Sequence, residues 1–394
     1  MRVNVIGGGV VGLSVAWRAA EAGASVTVID PDPAGGATRA AAGMLAPVGE
    51  TSHREDDLTL LLLESARRFP EFAARVGRGD AGPTGFRDTP TLIVGADAAD
   101  RDTLTALHDL SLVLGLATQR LTTREARARE VLLGPGLSCA FLAPHDHQVD
   151  PRALAAALLA DLQARGEVER VPAVGVTHTG EEPSSPVSGV DLADGRHVDA
   201  DAVVVANGVG AAELAGLGVD LAGLLRPVYG DVIRLDPPPH LRGLLSGVIR
   251  AAVGGRTVYL VPRADGSVVL GATSREDGNP AVSAGGVHDL LRDAIRLVPA
   301  VAEFALTESL ARARPGTPDN APLLGPLGAP GLFAATGLYR HGVVLAPVVA
   351  EAVAHGLGLA PEPDFAPRLA AFDPARFAHV RSTASTDPEG ARRA

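Results

Sequence analysis

The chain of 394 residues contains no lysine: all 35 of its basic residues are arginine. Schiff-base catalysis, pyridoxal phosphate chemistry and a Walker-type phosphate lysine are thereby excluded. The richness in Ala, Gly, Pro and Arg makes codon bias the simplest origin, and the exclusion holds regardless. Cysteine is nearly absent too. Cys139 stands alone, so the chain builds no disulfide framework and offers no cysteine-based metal site. Positive charge is in deficit: 35 basic against 46 acidic residues give a formal net charge of −11. That balance argues against nucleic acid or an anionic membrane as a partner, and no basic run contradicts it. No apolar run approaches a bilayer span. The first strand begins at residue 2 and leaves no room for a signal segment, so a cytoplasmic setting is expected. Internal repeats and low-complexity tracts are missing as well. What remains is a globular composition, 46% hydrophobic and 21% charged, long enough for roughly two to three domains.

The densest signal lies at the start. A β-branched run, Arg2 to Ile6, leads into Gly7-x-Gly9-x-x-Gly12, and Leu13 to Ala22 reads as a helix that stops at Gly23. A second strand, Ser25 to Ile29, ends on Asp30. This is a complete strand–turn–helix–strand unit for a dinucleotide. Gly7 allows the tight turn, Gly9 lets the backbone approach a pyrophosphate, and Gly12 lets the helix lie close on the sheet. The helix start then offers N–H groups and positive potential to the phosphates. Asp30 is placed to accept ribose hydroxyls and to repel a 2′-phosphate, which argues against NADP.

Downstream, Gly35 to Leu45 is dense in small residues and suits a segment lying against a bulky planar ligand. Leu58 to Phe69 reads as a helix interrupted at Pro70. Thr91 to Val94 is an expected strand and Asp100 to Leu114 a helix. Asp150-Pro151 is a helix start, an N-cap acid followed by proline at the first helical position, with closure at Gly166. Ala202 to Ala206 reads as a buried parallel strand. From Arg226 to Thr273 the pattern changes to long alternating strands, an antiparallel sheet in a second domain. Asp289 to Val298 is then a helix, Leu306 to Ala313 a strand, Leu332 to Gly337 a buried strand, and Val343 to His355 a helix. Residues after Phe372 lack periodicity and suggest a frayed tail. Two domains are thus interleaved along the chain.

Four blocks carry a resemblance: the N-terminal fingerprint, Ala40-Ala41-Ala42-Gly43-Met44-Leu45, Arg314-Pro315-Gly316-Thr317-Pro318-Asp319, and Gly337-Leu338-Tyr339-Arg340-His341-Gly342-Val343-Val344-Leu345-Ala346-Pro347. Tyr259-Leu260-Val261-Pro262-Arg263 supports them. From Arg2 to about His355 the chain resembles the FAD-dependent D-amino-acid oxidase superfamily, and within it the glycine oxidases of thiamin biosynthesis. The resemblance implies an α/β fold in which a Rossmann-type, D-amino-acid oxidase-like (GR2) FAD-binding domain interleaves with an antiparallel-sheet α+β substrate domain. The expected boundaries are 1–85, 146–225 and 313–372 for the first domain, 86–145 and 226–312 for the second, and 373–394 for a flexible tail.

The implied cofactor is non-covalent FAD. Its AMP end would meet Gly7, Gly9, Val10, Val11, Gly12, Asp30 and Pro31, with the backbone of Ala173 at the adenine. Ala37, Thr38, Ala42, Gly43 and Met44 would line the pyrophosphate and flavin. Leu338, Tyr339, Arg340, His341, Gly342, Val343 and Val344 would wrap the ring, with a helix N-terminus turned toward it. The implied substrate is a small amino acid, oxidised by hydride transfer from its α-carbon to flavin N5 without a general base, with O2 as acceptor. Arg314 suits the substrate carboxylate, because a guanidinium fork grips it with two parallel hydrogen bonds. Tyr259 either donates to the same carboxylate or is a core tyrosine. Arg340 either forms a second pocket arginine or anchors the flavin-side loop.

This chain departs from the family in three places. Leu338 stands where a histidine is common, His341 where an asparagine is, and Arg39 where a serine is frequent and a phosphate contact is at stake. His145-Asp146-His147 reads as solvated or structural rather than as a metal site, and no metal is expected. Asp56-Asp57 and Glu181-Glu182 read as exposed acids, and Cys139 as ordinary core. Glycine oxidase, with a link to thiazole synthase, is the expected activity. A sarcosine or D-amino-acid oxidase or dehydrogenase of the same family remains open, as does a non-catalytic flavin-binding protein. Self-association is left open too.

Overall fold

In a computed structural model, which describes residues 1–50, 56–78 and 82–381, the run Arg2–Ile6 becomes an inner strand of a six-stranded sheet. Across that sheet the order is Leu323–Pro326, Leu332–Thr336, Ala202–Val205, Arg2–Ile6, Ser25–Ile29 and Glu167–Glu169. All neighbours are parallel except the outermost pair at Leu323–Pro326. A parallel sheet needs cover on both faces, and alternation along its strands provides two apolar faces. Val204 packs among the helices Val10–Glu21, Asp56–Val76, Pro151–Arg165 and Ala346–Gly356, whereas Val203 and Val205 pack on the opposite side. There a three-stranded antiparallel sheet, Ala173–His178, Val187–Leu192 and His197–Asp199, closes the layer. Each valine buried in this way contributes about 1.5–3 kcal/mol.

The second body is an eight-stranded sheet in the order Ala305–Gly316, Arg226–Asp236, Val268–Gly271, Arg256–Pro262, Val248–Val253, Thr91–Gly95, Cys139–Ala143 and Gln119–Leu121. Only the Val248–Val253 and Thr91–Gly95 pair is parallel. The helix Ala284–Leu297 covers one face with Leu290, Ala294 and Leu297. Val232, Val248, Val261 and Val269 form a smaller cluster with Ala42, and it joins the two bodies.

Several elements differ from their expected limits, each for a local reason. Pro70 does not end its helix: Asp56–Val76 runs straight through it. Proline removes one helical donor, but Phe69, Phe72, Ala73 and Val76 are buried on both sides of it, and Trp17 meets Phe72 edge-on. The helix expected from Val343 begins at Ala346, with Pro347 in its first turn, where a missing N–H costs nothing. The helix expected from Asp289 begins at Ala284, because the Ser283 hydroxyl accepts from the Gly286 N–H and caps it. The strand Ala305–Gly316 crosses the boundary expected at 312/313. The tail does not fray at residue 373: Pro374–Arg381 forms 3-10 turns and buries Phe377. The rest of that tail, like the side chain of Asp56, lies outside the described residues. Asp57, Glu181 and Glu182 are exposed.

Candidate active site

Between the two sheets lies a cavity of about 1130 Å³, larger than the ~300–1,000 Å³ common for one small ligand. The fingerprint forms its floor. Gly7 takes φ +111°, and a Cβ on Gly12 would lie 1.9 Å from the Gly7 carbonyl oxygen. Both positions therefore demand glycine. The helix that follows has Gly9 at its N-cap and no side-chain cap, so N–H groups of its first turn remain for a ligand. Thr38 closes one side by accepting from the Val10 N–H at 2.9 Å. Asp30 lines the cavity with its carboxylate fixed, each oxygen accepting one backbone N–H, from Gly8 at 2.6 Å and from Asp32 at 2.8 Å. Those oxygens still have lone pairs for ribose hydroxyls.

Most of the expected residues converge on this space. Gly9, Val10, Val11, Asp30, Ala37, Thr38, Ala42, Gly43 and Met44 line it, as do Tyr259, Arg314 and the run Leu338 to Val344. Gly7 and Gly12 lie beneath the lining. Pro31 and Ala173 are outside it, Ala173 because it opens an edge strand of the three-stranded sheet. Arg39 is outside the lining and pairs with Glu308 at 3.4 Å. The Tyr339 N–H donates to the Pro315 carbonyl at 2.9 Å, which ties the third sequence block to the fourth.

Arg314 and Tyr259, the residues expected at a substrate, come from one face of the eight-stranded sheet together with Arg250 and Arg312. Arg250 and Tyr259 are cross-strand partners, Tyr259 faces Gly271, and Gly271 faces Val232. Side chains two apart share a face, so Gly230 and Val228 follow Val232, and their partners Arg312 and Arg314 follow on the next strand. Two glycines in this surface act as seats. A Cβ on Gly230 would lie 2.4 Å from the Arg314 guanidinium, and one on Gly271 would lie 2.4 Å from the Tyr259 hydroxyl oxygen. Arg314 donates to the Thr273 carbonyl at 3.2 Å. Among the described residues no carboxylate pairs with it. Burial pushes the Tyr259 phenol up while the Arg314 guanidinium pulls it down.

Arg340 is differently placed. Its Nε lies 2.6 Å from Glu50, which also takes Arg250 at 2.6 Å. Burial alone would raise the Glu50 carboxyl, but Arg250 and Arg340 outweigh it and hold it at about 2. His341 is buried beside them, and burial lowers it to about 4. Its Nδ1 has no partner among the described residues.

Four of these residues had a signal that went unread. Glu50 ends an uncharged stretch from Ala40, Arg250 is a lone charge in an apolar strand, and Gly230 and Gly271 interrupt strands as close-approach glycines do. Within His145-Asp146-His147 the last two residues hold local structure, and His145 is exposed. Asp146 is fully buried and accepts the N–H groups of Val48 and Gly49, and His147 meets Asp88. Among the described residues no cluster of His, Cys, Asp or Glu could hold a metal ion, and no helix is long and apolar enough to cross a membrane. Cys139 is buried, and burial raises its thiol.

Residues 2–355 match the family of FAD dependent oxidoreductases known as DAO. The chain is 32% identical over 384 residues to the bifunctional protein ThiO/ThiG of Synechocystis sp., covering 95% of this chain and 54% of that protein. It therefore spans about half the length of the bifunctional relatives it matches. It is 31% identical over 356 residues to the glycine oxidase of Geobacillus kaustophilus, covering 89% and 91% of the two chains. The crystal structure of glycine oxidase from that organism superposes with a TM-score of 0.82 at 30% identity, over 94% of this chain and 98% of the other. The chain belongs to the DAO family of FAD-dependent oxidoreductases. Its residues fit the cofactor: the uncapped helix start, the acid at the strand end and the small residues Ala40 to Gly43 leave room that larger side chains would fill.

Proposed function

We propose that the protein is an amino-acid oxidase, with glycine as its substrate, giving glyoxylate, ammonia and hydrogen peroxide or an imine passed to thiazole formation. The observation that carries this reading is the Arg314 guanidinium, which faces the cavity without a carboxylate partner among the described residues. An α-amino acid supplies that partner. Two parallel N–H···O bonds from Arg314, with the Tyr259 hydroxyl as a further donor, would fix the carboxylate and hence the direction of the Cα–H bond. The positive potential of the neighbouring arginines favours the neutral amine, which the reaction needs.

FAD, when bound, would accept the two electrons and pass them to oxygen. Gly9 to Gly12 and Asp30 would hold its AMP end. Thr38 and Ala42 to Met44 would hold the pyrophosphate and one side of the ring, and Leu338 to Val344 the other. No side chain has to remove the α-proton as a base, and the buried His341, neutral above pH ~5, is not asked to. Glycine suits a pocket walled by Leu338, Tyr259 and the Glu50 pair. Glycine oxidase relatives support this substrate, and the fused ThiO/ThiG relatives support the thiazole link.

The test is anaerobic mixing of the purified yellow protein with glycine, sarcosine and D-alanine, followed by oxygen readmission. Fastest bleaching by glycine, with peroxide and glyoxylate formed on readmission, is the expected result. Faster bleaching by sarcosine or D-alanine moves the substrate within the family. Bleaching without oxygen uptake makes the protein a dehydrogenase, and no bleaching by any of the three overturns the reading.

A further inference from the structure

The cavity wall beyond Tyr259 carries three charged side chains, Glu50, Arg250 and Arg340. Glu50 sits between the two guanidiniums, with Oε1 2.6 Å from Arg250 Nη1 and Oε2 2.6 Å from Arg340 Nε. Its position is fixed from behind. Asp146 takes the Val48 and Gly49 N–H groups at 3.2 and 3.0 Å. Gly49 also lies against the Arg250 stem, where a Cβ would stand 2.9 Å from Cδ. Only 12% of the Glu50 side chain and 14% of Arg250 are exposed, so neither swings into water. The carboxyl, held at about 2 by its two partners against burial, is ionised at neutral pH. Two guanidiniums therefore share one built-in carboxylate, whereas Arg314 on the same sheet face has none.

We propose that Glu50, by holding Arg250 and Arg340, is a specificity-determining residue that makes the cavity favour substrates with one carboxylate over substrates with two. The inference rests on Arg314 as the site of the first carboxylate. A second carboxylate on the substrate has to compete with Glu50 for guanidiniums that Glu50 already holds. Removing the Glu50 charge while keeping its shape turns the same wall into a receptor for a second anion. Removing Arg250 does the reverse, because Glu50 is then left facing Arg340 alone.

The experiment compares malonate with malonamate, which match in size and differ by one charge, titrated into the FAD-loaded protein and read as flavin absorbance changes. The wild type binds malonamate at least as tightly as malonate. Glu50→Gln shifts the affinity ratio toward malonate by about tenfold or more, and Arg250→Met shifts it the other way by roughly threefold. The second variant keeps the inference testable if the first does not retain flavin. A ratio unchanged in the variants, a wild type that strongly prefers malonate, or an Arg250→Met protein that weakens both ligands equally overturns the proposal. Malonamate that fails to perturb the wild-type flavin overturns the Arg314 reading itself. Malonamate binding with an unchanged ratio removes only the role given to Glu50.

Discussion

The two ends of the cavity are made from different materials. At the nucleotide end the working groups are backbone N–H donors and small side chains, gathered within Gly7 to Met44 on one strand–helix–strand unit. At the other end they are long polar side chains, the arginines Arg250, Arg312 and Arg314 with Tyr259, spread over three strands and brought to one face by register. The first end tolerates almost no change in shape, because a single added carbon meets a carbonyl oxygen. The second end is tight only at its two glycine seats, Gly230 and Gly271, and otherwise differs from place to place in which guanidinium already has a carboxylate. A cofactor common to a family and a substrate particular to a member make different demands, and the two constructions answer them separately.

Substitutions should therefore fail in different ways at the two ends. The largest effect is expected at Gly12→Val, which drives a side chain into the Gly7 carbonyl and costs more than about 3 kcal/mol. The flavin-to-protein ratio of the purified protein should fall to near zero; retention of full flavin content would break the comparison. Arg314→Met should leave that ratio intact while raising the KM for glycine on the order of a hundredfold. Loss of flavin in this variant would show that the two ends are not independent. Gly271→Ala sharpens the contrast, because here a glycine serves the substrate end. Its new methyl displaces the Tyr259 hydroxyl, and steady-state kinetics should show a KM raised about tenfold, near that of Tyr259→Phe.

The contrast with the least bearing on either end concerns pH. Burial depresses His341 from its ordinary 6.5 to about 4, so the folded state binds this proton less readily than the unfolded one. The stability tied to the neutral ring is present above pH 6.5 and is lost as pH falls toward 4, up to roughly 3 kcal/mol. Asp146, which burial raises to about 7, works in the opposite sense: its contribution is present below pH 3.8 and lost as pH rises toward 7. His341→Asn isolates the first effect. On going from pH 7.5 to 5 the melting temperature of the variant should rise relative to that of the wild type, because only the Asp146 contribution is left, and the same pH response in both would remove His341 from the account.

How legible each end was follows from the same contrast. The fingerprint is local, so its spacing alone pointed to strand, turn, helix and acid. Gly7 takes the strained position and Gly12 the crowded one that the motif requires. Arg314 and Arg340 were named from blocks of resemblance, yet their difference was not visible in those blocks. It depends on Glu50, nearly three hundred residues away from Arg340, and on a loop clasped by Asp146. Pro70 misled because helix propensity was weighed without the aromatic packing on both sides of it. The seats at Gly230 and Gly271 needed strand register, which no single segment specifies.

The order of strands in the parallel sheet has a consequence for how the molecule is made. Arg2–Ile6 pairs with Ala202–Val205, which pairs in turn with Leu332–Thr336, and the cavity lining runs from Gly9 to Val344. A chain emerging from the ribosome holds its phosphate-binding turn early but waits until residue 344 before the remaining walls exist. Capture of the cofactor thus follows synthesis through Val344, and the apolar strands of the first two hundred residues are made well before it. Flavin binding therefore stabilises only chains in which segments more than three hundred residues apart have already met.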